Sequence, residues 1–186
     1  MSKIMKRLFI LLSFILICCQ NEENAVKPPI VKIGDVYQGG IVFYILQSGD
    51  YNYIEGEQHG LISSENDQSV SIKWGCSTPI FSQFLEGIGY GEHNTQLIVD
   101  GCPGDNAASL CNSLSLNGYD DWWLPNVEEF EKMIVNKLLL NFQLDKYYWT
   151  SFMGNPSEII SIRPSDGNTQ WSAPANLYRV RAIRRF

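Results

Sequence analysis

Apolar residues run without a break from Leu8 to Ile17 except at Ser13, give way to a polar stretch, and return in periodic form from about residue 33. The segment "GDVYQGGIVFYI" (34–45) carries β-branched and aromatic residues on both sides of its alternation, which predicts a largely buried strand opening a domain. "HGLISS" predicts a second, short strand, and from Ser77 to Gly91 the period dissolves into a glycine-punctuated loop. Helical signals follow. Asn94 or Thr95 is placed to cap a short helix that stops at Gly101, Asp105 to cap one running to about Leu116, and Asn126 to cap a third. Glu129 stands three residues after Asn126, in capping-box spacing. Phe130, Met133, Ile134 and Leu138 form the apolar stripe of this third helix and are expected in the core. The chain then returns to strands, "YYWTSF", "EIISIRP", "TQWSA" and "YRVRAIRRF", separated by Gly-, Pro- and Asn-bearing turns. A strand, then helices, then a strand meander describes an α+β domain with two to three helices, in which the first strand can pair with the last.

The apolar run at the start is preceded by Lys3, Lys6 and Arg7, the charge pattern of an export signal. It is too short to span a bilayer, which needs about 20 apolar residues for roughly 30 Å of hydrocarbon. Leu16, Ile17, Cys18 and Cys19 resemble the lipobox of bacterial lipoproteins, with Cys19 as the lipid attachment residue; an ordinary secretory signal is the alternative. The chain accordingly divides into a signal over 1–18, an acidic, proline-bearing tether over 19–32 and a domain over 33–186. The acids just after Cys19 also resemble the export signal by which some lipoproteins reach the cell exterior. The expected location is the outer membrane of a bacterial envelope, facing outward, with the membrane as a partner through the lipid.

Without the signal, the formal net charge of −6 becomes −9, because three cations leave and no acid does. So acidic a chain is unsuited to nucleic acid, and no nucleic-acid partner is predicted. The local exception is the terminal strand with Arg179, Arg181, Arg184 and Arg185.

Three cysteines fall in the domain, and an exported protein with an odd count suggests one bridge and one leftover thiol. Cys111 shares a helical face with Ala107, Leu110 and Leu114 and reads as a small buried residue. Cys76 and Cys102 both lie in glycine-rich loops, which favours Cys76–Cys102 and leaves Cys102–Cys111 as the other pairing.

The stretches "IGDVYQGGIVFYI", "GLISSENDQS", "IKWGCS", "GIGYGEHNTQLIVDGC", "AASLCNSLSLNGYDDWWLP", "EEFEKM", "YYWTS" and "YRVRAIRRF" span almost all of residues 33–186 in order. They resemble the bacterial domain family named for the C-terminal domain of the collagen-like adhesin Lcl. The resemblance implies a C-type lectin-like fold, shared with formylglycine-generating enzymes, in which a W-x-L-P turn leads into a helix and a late strand carries arginines. That fold hosts binders, enzymes and structural domains, so it implies no particular ligand.

Asp120, Asp121 and Trp122, directly before Leu124-Pro125, are expected to act as a structural staple, the acids accepting from turn amides or pairing with Arg181 or Arg184. One of Trp122 and Trp123 should point inward and the other lie nearer the surface. Tyr90, Tyr119, Trp123, Tyr147, Trp149 and Trp171 are the aromatic candidates for stacking on a sugar or forming a protein contact. "DGCPGDN" and "PSDGN" are oxygen-rich but lack EF-hand spacing, and His59 and His93 show no zinc-ligand spacing. No metal and no cofactor are predicted. Neither a G-x-S-x-G elbow nor a phosphate-binding glycine loop occurs, and no cysteine follows Cys111, so the closely spaced C-terminal pair of the fold's catalytic relatives is missing. The sequence therefore points to non-catalytic recognition of an extracellular glycan or protein, with an envelope enzyme of unassigned class or a purely structural component as alternatives.

Overall fold

The computed structural model describes residues 28–76, 84–155 and 158–186. The expected signal over 1–18 and Cys19, the expected lipid attachment residue, lie outside the described residues. Among those described, no helix is long and apolar enough to cross a membrane. The chain is a mixed α+β protein built on two sheets and three helices.

The first sheet has the order β1 (Val36–Tyr37), β2 (Gly40–Ile45), β3 (Gly60–Ser63) and β9 (Ile183–Arg185), all antiparallel. The expected single opening strand is thus a hairpin. Gln38 and Gly39 both have positive φ, 41° and 93°, the backbone that a two-residue turn of matching twist requires. At Gly39 the requirement is also steric, since an added Cβ would meet the Tyr119 ring. The last strand does share a sheet with the first, but β3 and β2 lie between them.

The second sheet has the order β4 (Ser69–Lys73), β8 (Leu177–Val180), β5 (Tyr148–Asn155), β6 (Glu158–Arg163) and β7 (Asn168–Ser172). Only β5 and β8 run parallel. The terminal "YRVRAIRRF" is therefore two strands, because the chain bends at Arg181-Ala182 and passes from one sheet to the other. Strand β4 has no counterpart in the sequence reading: most of its residues are exposed, so it lacks the alternation that marks a half-buried strand.

Helix α1 (Gly91–Gly101) begins earlier than its side chains suggest, and α2 (Ala107–Asn112) is capped by Asn106, not Asp105, and ends before Leu116. Asn94 and Thr95 do not cap α1. The Asn94 amide bonds the backbone of Leu85 in both directions, and the Thr95 hydroxyl donates to the Gly91 carbonyl and accepts from the amide N–H of Leu124. Helix α3 (Val127–Val135) has the expected Asn126–Glu129 capping box. It stops at Val135, so the helical period no longer governs Leu138, which is 86% exposed and outside the core.

Two apolar clusters fill the interior. One gathers Trp74, Ile98, Cys111, Trp122 and Trp149, the other Phe43, Trp123, Phe130, Met133 and Tyr148. Cys76 and Cys102 are disulfide-bonded with Cα atoms 5.3 Å apart, and Cys111 is a buried free thiol.

Candidate functional site

The site grows from the loop before α1. Glu129, fully buried on α3, accepts N–H donors on both oxygens: Gly89 at 2.9 Å and Gly91 at 3.2 Å on Oε1, Asn126 at 2.9 Å and the Trp123 indole at 3.3 Å on Oε2. A carboxylate from another helix thus satisfies the buried amides of Gly89 and Gly91 at the entry of α1, which has no side-chain cap of its own. Burial pushes the Glu129 carboxyl up to about 7, while its bonds to Asn126, Gly91, Trp123 and Gly89 pull it back. Gly91 fits only as glycine, since a Cβ there would collide with Glu129 and Trp123.

With the loop so fixed, and with Asn126 donating to the Gly87 carbonyl at 2.6 Å, Tyr90 stacks on Tyr51 at 4.6 Å between ring centroids. This pair forms one wall of an open cleft of about 540 Å³. Glu92, His93 and Gln96 of α1 also line it, together with Asp120, Asp121, Trp122 and Trp123. Arg185 reaches beside it, pairing with Glu92 at 2.8 Å and lying over the Trp123 and Tyr51 rings, with a buried Nε that has no hydrogen-bond partner among the described residues. Asp120 is exposed and makes no ion pair or hydrogen bond among the described residues, so its carboxylate is free to accept from a ligand.

The staple residues divide between two separate ion pairs. Asp121 binds Arg184 in bidentate fashion, Nε to Oδ1 at 2.6 Å and Nη2 to Oδ2 at 2.9 Å. Arg184 also donates to the Gln38 carbonyl and lies 4.0 Å over the Tyr119 ring. Arg181 does not reach either aspartate. It meets Asp67 through Nε at 2.9 Å and Nη2 at 2.6 Å, and Asp67 further accepts from Arg179 at 2.7 Å and from the Tyr148 hydroxyl at 3.0 Å. Asp67 carries no signal of this role in the sequence, because it lies 114 residues from Arg181 in an unpatterned turn.

Of the aromatic candidates, Trp123 and Trp149 are both buried; Trp123 nevertheless lines the cleft, whereas Trp149 does not, which corrects the assignment of Trp149. Both adjacent tryptophans point inward, contrary to expectation, because alternation sends Trp122 into one cluster and Trp123 into the other. Tyr119 is covered by Arg184, and Tyr147 is half-buried against Arg163. Trp171 is 55% exposed, but on β7, where it packs across Gly154 and does not line the cleft. Of the six, Tyr90 and Trp123 line the cleft, and Tyr90 is the more exposed of the two. Tyr51, Glu92, Gln96 and Glu129 carry no sequence signal of a site, since the features that unite them are tertiary. Among the described residues, no three of His, Cys, Asp and Glu converge as metal ligands.

No protein-family model matches the chain, and no curated protein does. Among solved structures, a fimbrial protein from Bacteroides ovatus is similar with a TM-score of 0.48 at 13% identity, over 78% of this chain. The chain spans 43% of that structure's length, and a likeness this distant carries no functional conclusion.

Proposed function

We propose that this chain is a surface lipoprotein of a bacterial envelope, lipidated at Cys19, whose domain belongs with the Lcl C-terminal domain family and its C-type lectin-like fold. Its role is non-catalytic recognition, exercised through the cleft between the Tyr51–Tyr90 pair and the Asp120–Asp121 edge. The observation that carries this reading is that one open cleft is lined by a stacked aromatic pair and by a carboxylate, Asp120, that has no partner among the described residues. Aromatic faces take the apolar side of a sugar ring or a cation, and a carboxylate accepts hydroxyl or ammonium donors. The ligand is therefore a neutral or amine-bearing glycan or a lysine-bearing protein segment. A polyanion is disfavoured by Glu92, Asp120 and Asp121. Glu129 takes no part in chemistry on this reading: its oxygens are occupied by four backbone and indole donors, and its work is to hold the loop that carries Tyr90.

The test is a binding screen of the oxidised protein against a glycan array and envelope proteins, with and without Ca²⁺, repeated with Tyr51→Ala and Asp120→Asn. Saturable binding that either variant weakens supports the cleft. Binding that both variants leave untouched moves recognition elsewhere, and a folded protein that binds nothing in the screen removes the reading.

A further inference from the structure

The turn after α3 presents an apolar surface with nothing packed over it. Val135 and Leu138 are among the most exposed apolar residues of the described chain, and Leu139 is half exposed beside them. The turn is held in place, since Leu140 is fully buried, the Leu139 amide donates to the Asn136 carbonyl at 2.9 Å, and the Asn136 side chain donates to the Phe43 carbonyl at 3.0 Å. Order in the backbone together with exposure of the leucines means that the fold holds these side chains in solvent, where each forgoes the gain of burial.

The place of this surface in the chain says what covers it. Leu139 lies against the backbone of Gly34, where a Cβ would sit 3.4 Å from its Cδ1, and the neighbouring Ile33 and Ile30 are also exposed. The described chain leads to Ile33 and Gly34 from Pro28 by way of Val31, which is buried with its backbone bonded to the Gln58 side chain in both directions. From Cys19 to Pro28, where the described chain begins, nine residues can reach at most about 30 Å even fully extended. A lipid at Cys19 would keep this face within a short reach of the bilayer, at an effective concentration on the order of millimolar.

We propose that Val135, Leu138 and Leu139, with Ile33, form a surface that seats the domain on the lipid bilayer. The proposal rests on the lipoprotein reading above. The surface shares no residue with the cleft, so a seated domain keeps the cleft available to a ligand.

The test uses the full-length lipidated protein in phospholipid vesicles, with an environment-sensitive fluorophore at Leu138→Cys and, as the control, at Leu177→Cys, an exposed leucine on β8 of the other sheet. Flotation with the vesicles reads the anchor; emission reads the surface. The expected result is flotation of both proteins, with a blue shift at 138 that is lost to quencher-bearing lipids, and water-like emission at 177. Flotation with water-like emission at both positions overturns the bilayer contact while leaving the anchor standing. A chain that does not float removes the anchor and this proposal with it. A blue shift at 138 that appears without vesicles and grows with protein concentration assigns the surface to a second copy and also overturns it.

Discussion

Asp67→Asn should be the most destabilising conservative change on the polar side of this fold. Asp67 is 9% exposed and Arg181 only 1%, and two of the guanidinium's bonds end on this one carboxylate. The asparagine keeps the shape and one acceptor oxygen, enough for the two Arg181 bonds that both end on Oδ1, but it removes the charge, and its NH₂ in the place of Oδ2 cannot accept from Arg179 and the Tyr148 hydroxyl. Arg181 would retain the carbonyls of Leu140 and Ser64 and the Phe142 ring, with no other acid paired to it among the described residues. Removing one partner of a buried pair costs about 3–5 kcal/mol, because the other charge stays buried. For Asp121→Asn the geometry is as good but Asp121 is 50% exposed, so water screens the pair and the cost falls to about 1 kcal/mol. At about 2–4 °C per kcal/mol for a chain of this size, Asp67→Asn lowers Tm by about 6–20 °C and Asp121→Asn by a few degrees. Urea unfolding of the oxidised protein, followed by tryptophan emission, compares the two. If Asp67→Asn lies within about 1 kcal/mol of the parent, or if the two variants cost the same, burial is not what sets the strength of these pairs and the reasoning fails.

Reduction of the Cys76–Cys102 bridge, or its removal by combining Cys76→Ser with Cys102→Ser, should cost about 3–4 kcal/mol from the loop of 26 residues that it closes, read as a drop in urea midpoint. Trp149→Ala should cost about 3–5 kcal/mol as a core truncation while Trp171→Ala changes stability little, and near-equal effects would contradict their burial. For Glu129 the folded carboxyl is raised above its ordinary value, so folding takes up a proton between about 4.5 and about 7; stability from this group is greatest below that window and falls as pH rises through it, by about 3 kcal/mol at most. Unfolding of the parent and of Glu129→Gln across pH 4–8 checks this: the difference between them should change across the window, and a flat difference would show that the four N–H donors have cancelled the effect of burial.

What the sequence made legible was local. The Asn126–Glu129 box, the end of α1 at Gly101 and the strands of the second sheet from β5 to β7 are each specified within a few residues. Several of the failures share one cause, which is that a period read along the chain assumes that the element continues. At Leu138 the helix had already ended, so a residue on the apolar stripe stands in solvent. At Gln38-Gly39 a turn hid inside an apolar run, and at Arg181-Ala182 a bend reset the parity of the last strand. That bend lets Arg181 and Arg184 both be buried, each against a different acid.

The stretch from Tyr119 to Pro125 shows why staple and ligand site are not exclusive. Trp123 forms a two-way backbone bridge with Ile183 of β9, which places this extended segment where the two apolar clusters meet. Alternation then commits Trp122 to one cluster and Trp123 to the other, so both are almost wholly buried where they line the cleft, and on the proposed reading the more exposed aromatic surface comes from Tyr51 and Tyr90. The same segment turns Asp120 and Asp121 to solvent. Asp121 is held by Arg184, whose guanidinium is covered by Tyr119 and tied to the β-hairpin turn through Gln38, so the edge of the cleft is fixed by the staple itself. Asp120, one residue earlier, is left without a partner among the described residues, on an edge that its neighbour keeps rigid. Loosening the staple by Arg184→Lys, which loses the bidentate fork, should therefore weaken ligand binding more than it lowers stability.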